Sequence, residues 1–526
     1  MKKLTLLILG FFTTIFCVNA QVKINYSKDS PLRKLQMAEL YINALYVDSV
    51  DENKLVEDAI KGMIEKLDPH SSYSDAEEMK AITEPLMGNF EGIGIQFNMI
   101  DDSLVVIQPV VNGPSEKVGI MPGDRIITVN DTVIAGVKMP KHKIMKLLRG
   151  KKGSKVMLGI KRRNVKDVLT FKVTRDRIPI KSLEGAYMID KGIGYIRLGN
   201  FGANTYKEFM EAMETLREHG MKDVIIDLQG NGGGFLQASV QIAGEFLNNN
   251  DLIVYTKGRA YERKNYKAKG NGDFREGRVV VLIDEFSASA AEIFTGAIQD
   301  YDRGIVVGRR SFGKGLVQHP ITLPDNSMIR LTIAHYYTPS GRCIQKPYKK
   351  GDMKDYEMDF ENRLKHGELT CKDSIHFNDS LKYFTLKEHR TVYGGGGIMP
   401  DYFVPLDTMK YSKYYRKLIL KNIVLTNNLK YVDNNRKQLR SNYSSFDDFK
   451  KKYKVPEEII ENIIAEGRKD KIEPLDDNDL KQTKAQLRLQ LKALVARDLW
   501  DMSEYYEIIN QQNDIVNEAV KILKNK

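Results

Sequence analysis

The feature that most constrains the fold is the alternation of short apolar runs with amphipathic segments between Gly192 and the glycine run at 394–397. The apolar runs have the length and the Val and Ile content of strands, and the segments between them have helical spacing. Strands are predicted at Gly194–Leu198, Val224–Leu228 and Val279–Asp284, and helices at Thr205–His219, Phe235–Leu247 and Ala290–Asp300. This alternation predicts an α/β core.

A different pattern precedes this core, from Thr83 to Arg175. Short β-rich runs are separated there by Gly, Pro, Asn and Asp, the residues that favour turns. The runs are Ile93–Ile100, Leu104–Pro109, Arg125–Val129, Lys155–Lys161 and Val168–Val173. A stretch of about ninety residues is a plausible size for one compact β-rich domain.

The first residues have the layout of a signal peptide. Met1, Lys2 and Lys3 precede an apolar run from Leu4 to Val18, and Ala20 stands at a suitable cleavage position. The apolar run is shorter than the roughly 20 residues that a membrane-spanning helix needs. We therefore expect cleavage after Ala20 and export to the periplasm.

A chain of 526 residues exceeds what one core usually supports, so several domains are expected. Helical spacing of apolar residues follows the signal peptide, and the last 120 or so residues combine helical periodicity with many Lys, Asn and Glu residues. The expected segments are a signal peptide at 1–20, a helical region at 21–82, the β-rich domain at 83–175, the α/β core at 176–405 and a helical accessory region at 406–526.

Composition excludes several classes of protein. Cys343 and Cys371 are the cysteines left after the predicted cleavage, too few for the disulfide framework of a small secreted domain. The net charge of +12 is spread along the chain with acidic residues interleaved, and no basic block lies among aromatic residues. We expect no nucleic acid partner, no cofactor and no metal site.

A strand that turns abruptly into a helix at Ser289 is the first candidate for chemistry. A serine at such a turn can point outward, and the helix amino terminus offers unpaired N–H groups, Ala290 among them, to a developing oxyanion. The same residues also fit a capping box, in which Ser289 and Glu292 satisfy the first N–H groups of the helix. The segment on its own favours the cap.

Lys314 lies between Gly313 and Gly315, and Gln318 follows four residues later. A buried lysine has a lowered pKa and can act as a general base, with Gln318 orienting its amine. The alternative is a solvated lysine in a glycine turn, which is the commoner situation.

Glycines also follow the strand that ends at Leu228. Their N–H groups, at Gly232 and Gly233 in particular, could serve an oxyanion hole or a phosphate cradle, and a plain tight turn is equally compatible. Phe235 stands where a dinucleotide site needs a third glycine, and the Gly-Lys-Ser/Thr of a P-loop is missing. Nucleotide binding is therefore not predicted.

A fourth candidate lies at the start of the β-rich domain, where Gly92, Ile93, Gly94 and Ile95 form a glycine-bearing loop that enters a strand. Such a loop can offer N–H groups to a terminal carboxylate, and a free strand edge can accept an extended peptide as an added strand. The helix that contains Ile144 and Leu148 would supply the apolar wall. An ordinary hairpin is the alternative.

Eight ordered motifs between Leu67 and Val404 resemble those of the carboxy-terminal processing peptidases, or tail-specific proteases, of family S41, most of all the periplasmic members from Bacteroidetes-type bacteria. The eight motifs are Leu67-Asp68-Pro69-His70-Ser71, Gly92-Ile93-Gly94-Ile95, Pro122-Gly123-Asp124-Arg125-Ile126, Asp227-Leu228 with the glycines that follow, Ser287-Ala288-Ser289-Ala290, Phe312-Gly313-Lys314-Gly315 with Gln318, Tyr337-Thr338-Pro339-Ser340-Gly341-Arg342 and Gly397-Ile398-Met399-Pro400-Asp401. The resemblance implies a PDZ-like domain inserted before a crotonase/ClpP-like α/β peptidase core, with helical regions at both ends.

The resemblance also implies roles for the site residues. Ser289 would be the nucleophile of a serine endopeptidase, Lys314 its general base and Gln318 the residue that positions the lysine. Ala290 and either Gly232 or Gly233 would supply the oxyanion hole. The loop at 92–95, with Ile144 and Leu148, would bind the apolar carboxy-terminal tails of exported proteins.

Protein or peptide substrates with free carboxy-terminal tails are the partners that follow from the resemblance. The positive charge is compatible with peripheral association with a membrane, and the sequence leaves open a homo-oligomer or an adaptor.

Two departures from the family pattern stand out. Gln229 occupies a position where many relatives carry arginine, which puts in doubt any role for a cation beside the glycine loop. Ala291 replaces a second serine, at a position that is not the nucleophile.

Three other functions compete with the Ser-Lys peptidase. The first is a Ser-His-Asp hydrolase that uses His70 or His319 as the base, and the second is a catalytically inactive PDZ scaffold. The third is an acyl-CoA enzyme, because the peptidase core of the family resembles the crotonase fold, although such an enzyme would need neither export nor a tail-binding domain. Both Ser289 and Lys314 are present, which argues against the scaffold.

Overall fold

The computed structural model describes residues 30–163, 165–270, 272–376 and 378–525. They fall into two compact units, which divide after Ile64. The predicted signal peptide, residues 1–20, lies outside the described residues. Within these ranges, no helix is both long enough and apolar enough to cross a membrane.

The described part of the first unit, residues 30–64, contains two helices, α1 (Pro31–Leu45) and α2 (Glu52–Ile64). Pro31 is the first residue of α1, where a backbone N–H would have no partner within the helix, so proline removes no helical hydrogen bond there. No side chain of α1 is buried, and apolar residues such as Leu40 and Leu45 are exposed. The predicted helical amino-terminal region is confirmed.

The second unit begins with a short strand, β1 (Ser72–Ser74), and a helix, α3 (Ala76–Met87). Asp75 caps α3 in a full capping box with Glu78, and Gly88 ends the helix in the left-handed conformation. Residue 83, where the β-rich domain was expected to begin, therefore lies inside α3.

The β-rich domain is a PDZ fold with its own core. Its elements are β2 (Asn89–Gly92), β3 (Ile95–Ile100), β4 (Ser103–Pro109), α4 (Pro114–Lys117), β5 (Arg125–Val129), β6 (Thr132–Val133), α5 (Lys141–Leu148), β7 (Lys155–Lys161), β8 (Leu169–Thr174) and β9 (Asp176–Pro179). Strands β3, β4, β5, β7 and β8 form an antiparallel sheet with β6 paired to β5, and β2 pairs with β9. Leu104, Ile126 and Leu158, one each from β4, β5 and β7, are fully buried in this core.

The α/β core is built on a six-stranded sheet with the order β10-β11-β12-β15-β16-β21, in which every neighbouring pair from β11 onward is parallel. Its strands and helices are β10 (Leu183–Asp190), β11 (Ile193–Leu198), α6 (Thr205–Glu218), β12 (Asp223–Asp227), α7 (Leu236–Gly244), β15 (Val279–Ile283), α8 (Ala290–Asp300), β16 (Ile305–Gly308) and β21 (Tyr402–Phe403). The continuous Val and Ile run of β15 is buried throughout, as expected of a parallel strand covered on both faces. The predicted α/β class is confirmed.

A second sheet in the same region has the order β1-β18-β13-β14, with β17 paired to β18. Its strands from the core are β13 (Leu252–Lys257), β14 (Lys264–Lys267), β17 (Leu316–Thr322) and β18 (Met328–Tyr337). Ser72–Ser74 joins this sheet by antiparallel pairing with β18. The sequence pattern did not predict this pairing, because three residues are too few for a periodic signal.

Smaller elements connect this sheet to β21. They are α9 (Lys354–Glu357), α10 (Asp359–Lys365), β19 (Lys382–Phe384) and β20 (Thr391–Tyr393), with short 3-10 helices at Lys372–Ser374 and Asp379–Leu381. Tyr356 in α9 is buried and contacts the region around His70. This segment therefore contributes to the walls of the site described below.

The carboxy-terminal region is helical, as predicted. Its helices are α11 (Lys413–Leu420), α12 (Ile423–Asn442), α13 (Phe446–Lys452), α14 (Glu457–Lys469), α15 (Asp477–Leu499), α16 (Met502–Ile509) and α17 (Asp514–Asn525), with a 3-10 turn at Asn510–Gln512. The apolar face of α17, including Ile515 and Val516, packs on one face of the parallel sheet against Ile225 and Leu282. The last helix thus belongs to the core of the α/β domain.

Helix α12 contacts the PDZ fold. Leu429 packs on Ile100 and Val105, and Asp433 lies within ion-pairing distance of Arg125, at 3.7 Å. The carboxy-terminal region therefore contacts both the PDZ fold and the α/β core.

Candidate active site

Ser289 lies at the turn between β15 and α8, in a backbone conformation that serine rarely adopts. Its φ is +56° and its ψ is −114°, a conformation that costs energy and persists only where the surroundings enforce it. Asp284 supplies part of that enforcement, because its Oδ1 accepts the N–H groups of Phe286 at 3.0 Å and Ser287 at 3.1 Å. The turn also leaves the N–H of Ala290 without a hydrogen-bond partner among the described residues.

Glu292, in the first turn of α8, is almost completely buried and joins two separate segments. Its Oε2 accepts the N–H of Ser289 at 2.8 Å and the N–H of Lys314 at 2.9 Å. Its Oε1 accepts the N–H of Gly313 at 2.7 Å and the hydroxyl of Ser311 at 2.5 Å. Burial raises the pKa of Glu292, the four hydrogen bonds lower it, and the net shift is upward. The residue that the sequence offered as a helix cap therefore also holds the lysine loop.

Lys314 is largely buried in a loop between β16 and β17. Burial is the largest effect on the pKa of Lys314 and lowers it, and the nearby Arg330 lowers it further. The carboxylates of Glu292 and Asp68 act in the opposite direction, and the net shift is downward. The amine therefore loses its proton more readily than that of an exposed lysine.

Gln318 contacts the lysine, as its spacing suggested. Lys314 Nζ donates to Gln318 Oε1 at 3.3 Å, and Gln318 Nε2 donates to the carbonyl of His70. The Nε2 atom of His70 is hydrogen-bonded to the hydroxyl of Tyr356 at 2.7 Å. Burial, and after it the charge of Lys314, lower the pKa of His70 to about 4, so the imidazole is neutral at neutral pH.

Tyr336, on β18, contacts the backbone of both candidate catalytic residues. Its hydroxyl lies 2.6 Å from the carbonyl oxygen of Lys314 and 3.1 Å from that of Ser289, and its side chain is buried. No sequence motif singles out this tyrosine, since its contacts depend on the register of β18 beside the two loops.

The glycines of the lysine loop are required by close packing. A Cβ at Gly313 would lie 3.0 Å from the N atom of Gly397, and one at Gly315 would lie 2.8 Å from the N atom of Gln345. Gly313 also has a φ of +86°. Side chains at these positions would displace the loop that carries Lys314.

The glycine loop, residues 229–234, lies beside the serine turn. The carbonyl of Asn231 accepts the N–H of Ala288 at 2.9 Å, and a Cβ at Gly233 would lie 2.8 Å from Ser289 Cβ. Gly233 donates its N–H to Asn231 Oδ1 at 2.8 Å. Gly232, by contrast, is exposed, with nothing within 4 Å of the position of a Cβ.

The loop at 92–95 borders a cavity of about 360 Å³ in the PDZ fold. The N–H groups of Ile93 and Gly94 make no hydrogen bond within the described residues. The cavity is lined by Phe90, Gly92, Ile93, Gly94, Ile95, Gln96, Phe97, Lys141, Met145, Leu148 and Arg149. Ile144 is fully buried in the core of the fold and does not line the cavity, because Met145 and Leu148 form that wall of α5.

The structure thus brings together the turn of Ser289, the loop of Lys314 and the glycine loop, whereas the groove at 92–95 is part of the PDZ fold. Among the described residues, no direct hydrogen bond joins the Ser289 hydroxyl to the Lys314 amine, and neither His70 nor His319 is bonded to Ser289. Catalytic hydrogen bonds are often long in the absence of substrate. His319 is exposed.

Four parts of the chain match known protein families. Residues 192–356 match peptidase family S41, residues 92–174 match the PDZ domain, and residues 17–78 match the amino-terminal domain of the activating protease CtpB. Residues 414–501, which include α12 and α14, match a family of unknown function.

Individual proteins are similar over a longer stretch. The carboxy-terminal processing protease CtpA of Bacillus subtilis is 34% identical over 333 residues, which cover 62% of this chain and 70% of that protein. The carboxy-terminal-processing protease of Bartonella bacilliformis is 37% identical over 309 residues, which cover 58% of this chain and 70% of that protein. Among solved structures, the photosystem II D1 C-terminal processing protease is 29% identical, with 59% of this chain and 83% of that chain covered and a TM-score of 0.34.

Replacement of Glu292 by glutamine is expected to loosen both loops. Each carboxylate oxygen of Glu292 accepts two hydrogen bonds. In the glutamine variant the NH₂ group replaces one of these oxygens, and in either orientation of the amide it faces two donors that it cannot accept. An unsatisfied buried donor costs about 1–3 kcal/mol. Glu292→Gln should therefore lower the free energy of unfolding and reduce peptide cleavage. Chemical denaturation and turnover measure the two effects, with Glu361→Gln, at an exposed position of α10, as the matched control. Wild-type values for both quantities would contradict this interpretation.

Proposed function

This chain belongs to the carboxy-terminal processing peptidases of family S41 and is a serine-type peptidase with a PDZ domain, and on that premise we propose that it cleaves exported proteins with a Ser289–Lys314 dyad and selects them by apolar carboxy-terminal tails. The observation that carries the proposal is the pairing of a strained serine turn with a partly buried lysine of lowered pKa, both held by Glu292.

The neutral amine of Lys314 is the general base of the proposed reaction. Lys314 Nζ takes the proton of the Ser289 hydroxyl as Oγ attacks the scissile carbonyl carbon, and it then gives that proton to the leaving amine. A water molecule, deprotonated by the same amine, hydrolyses the acyl-enzyme and regenerates Ser289. Gln318 orients the lysine and, being uncharged, does not hold the proton on the amine as a carboxylate would.

The Ala290 N–H and one glycine N–H stabilise the oxyanion in this mechanism. We assign the second donor to Gly233, because Gly233 packs against Ser289 while Gly232 is exposed. The hydrogen bond from Gly233 to the neutral amide of Asn231 does not exclude this role, since a bond to a charged oxyanion is about twice as strong as one between neutral groups.

Substrate tails are proposed to bind in the groove of the PDZ fold. The N–H groups of Ile93 and Gly94 would receive the terminal carboxylate, and the apolar side chains of Met145 and Leu148 would contact the last side chains of the tail. Export to the periplasm after removal of residues 1–20 completes the proposal.

The pH dependence of cleavage tests the base. Because the pKa of Lys314 is lowered, the rate should rise with pH through an ionisation below the ordinary value of about 10.4. Lys314→Arg should be inactive, since a guanidinium stays protonated, and Gln318→Glu should move the ionisation to higher pH. His70→Gln should leave the ionisation in place, and its disappearance in that variant would identify a Ser-His enzyme instead.

Two glycine variants test the oxyanion assignment. Gly233→Ala should abolish cleavage, because φ is +99° and its Cβ would lie 2.9 Å from Ala290 N. Gly232→Pro removes the N–H of the exposed glycine and fixes its φ, with a ring placed where nothing lies within 4 Å of a Cβ, and it should retain most of the activity. Equal and large losses in kcat for both would assign a donor role to Gly232.

Binding of tails is best measured with the inactive full-length Ser289→Ala protein. A fluorescent peptide that ends in an apolar residue with a free carboxylate should bind, and the same peptide amidated at its terminus should bind much more weakly. Met145→Glu should weaken binding, whereas Lys143→Glu, on an exposed position of the same helix, should not. Equal affinity for both peptides would contradict tail recognition.

A further inference from the structure

A cation lies beside the glycine loop, although position 229 carries glutamine. Arg197, the residue before the last of β11, pairs in register with Asp227 at the end of β12. Its Nη1 lies 2.7 Å from Asp227 Oδ2, and its Nη2 donates to the carbonyl of Gln229 at 2.7 Å. The guanidinium therefore bridges the end of the strand and the first residue of the loop.

The carboxylate that Arg197 contacts is fully buried. Asp227 also accepts the hydroxyl of Tyr195 at 2.5 Å and, through Oδ1, the N–H of Gln229 at 2.8 Å. A buried carboxylate without a cation is strongly destabilising. Arg197 is thus the charge partner of the buried side chain that holds the start of the loop.

Hydrogen bonds continue from this point to the serine turn. The N–H of Gly230 donates to Asp284 Oδ1 at 3.0 Å, and the carbonyl of Asn231 accepts the N–H of Ala288 at 2.9 Å. Asp284 and Ala288 both belong to the turn that presents Ser289. A shift of the loop at Gln229 is therefore transmitted to the residues that flank the proposed oxyanion hole.

The carboxy-terminal region holds Arg197 from the other side. The centre of the Tyr506 ring, in α16, lies 4.6 Å from the guanidinium carbon, within the range of a cation–π contact. The Tyr506 hydroxyl donates to Glu184 Oε2 at 2.8 Å, and the same oxygen accepts Arg197 Nε at 2.9 Å. The three nitrogens of the guanidinium thus contact two carboxylates and a carbonyl, and its face lies against the Tyr506 ring. Because the guanidinium is planar with donors in fixed directions, these contacts define its orientation.

We propose that Arg197 is a positioning residue for the glycine loop and that Tyr506 of the carboxy-terminal region keeps it in place. The inference rests on the proposed function, because it takes the glycine loop as the source of an oxyanion donor. It assigns to the last helices a direct effect on the chemistry of the peptidase core.

Two variants test the proposal: one removes the cation of Arg197, and the other removes it and places an arginine at position 229. Arg197→Gln should lower kcat about tenfold to a hundredfold, since small displacements of catalytic groups have effects of that size, and should leave KM near the wild-type value. The double variant Arg197→Gln/Gln229→Arg should recover most of the lost kcat. A cavity of about 420 Å³ borders Arg197, Gln229 and Gly230, which gives the new side chain room. An unchanged kcat in the single variant, or no recovery in a folded double variant, would overturn the proposal.

A second variant covers the case in which Arg197→Gln does not fold. Tyr506→Leu removes the ring from the guanidinium and leaves the buried pair with Asp227 intact, so kcat should fall severalfold with KM unchanged. Tyr261→Leu, at an exposed position, is the control. A wild-type kcat in Tyr506→Leu would refute the role of the carboxy-terminal region.

The Ser289→Ala protein separates this inference from the proposed function. If Ser289→Ala still cleaves peptides, the proposed dyad is wrong whatever the Arg197 variants do. If Ser289→Ala is inactive while folded Arg197 and Tyr506 variants keep full kcat, the dyad stands and this inference alone is wrong.

Discussion

The four hydrogen bonds of the buried Glu292 carboxylate are the interaction on which the site depends. The serine turn and the lysine loop belong to different strand connections. A backbone hydrogen bond from the N–H of Phe312 to the carbonyl of Ser287, at 3.0 Å, joins them two residues before Ser289 and Lys314. The carboxylate accepts a backbone N–H from each of these residues, and the Tyr336 hydroxyl contacts a carbonyl of each. Because both ties use backbone groups, they hold the two loops in position without engaging the Ser289 hydroxyl or the Lys314 amine.

The parallel sheet explains why these loops meet. Strands β11, β12, β15 and β16 run in the same direction, and at their carboxyl ends lie Arg197, the glycine loop, the serine turn and the lysine loop in that order. Sites of open α/β sheets form at this edge because every strand of the parallel set ends there. The second sheet then supplies Gln318 and Tyr336 from β17 and β18.

The carboxy-terminal region is structurally part of the enzyme. Its last helix covers one face of the parallel sheet, α16 holds Arg197 through Tyr506, and α12 packs Leu429 on the PDZ fold. The same helical region therefore contacts both the proposed tail-binding fold and Arg197. Arg197 is linked to the serine turn through two hydrogen bonds, one to the carbonyl of Gln229 and one from the N–H of Gly230 to Asp284.

Local pattern was sufficient for the central strands and helices of the parallel sheet and for naming the residues that could do chemistry, but it predicted none of the strands of the second sheet. A strand–turn–helix at Ser289, a lysine between glycines and a glycine loop after a buried strand are all readable within about ten residues of chain, and the alternation after Gly192 led to the α/β class. Periodicity alone did not separate the lining residue Met145 from the buried Ile144, one position apart on α5. Tertiary packing determined the remaining contacts. Glu292 accepts the N–H of Lys314, and Tyr336 contacts the carbonyls of Ser289 and Lys314. The carbonyl of His70 accepts the amide of Gln318, and Arg197 supplies a cation that contacts the carbonyl of Gln229. Each of these joins residues far apart in the chain, so it depends on strand register and burial, which no local sequence pattern encodes.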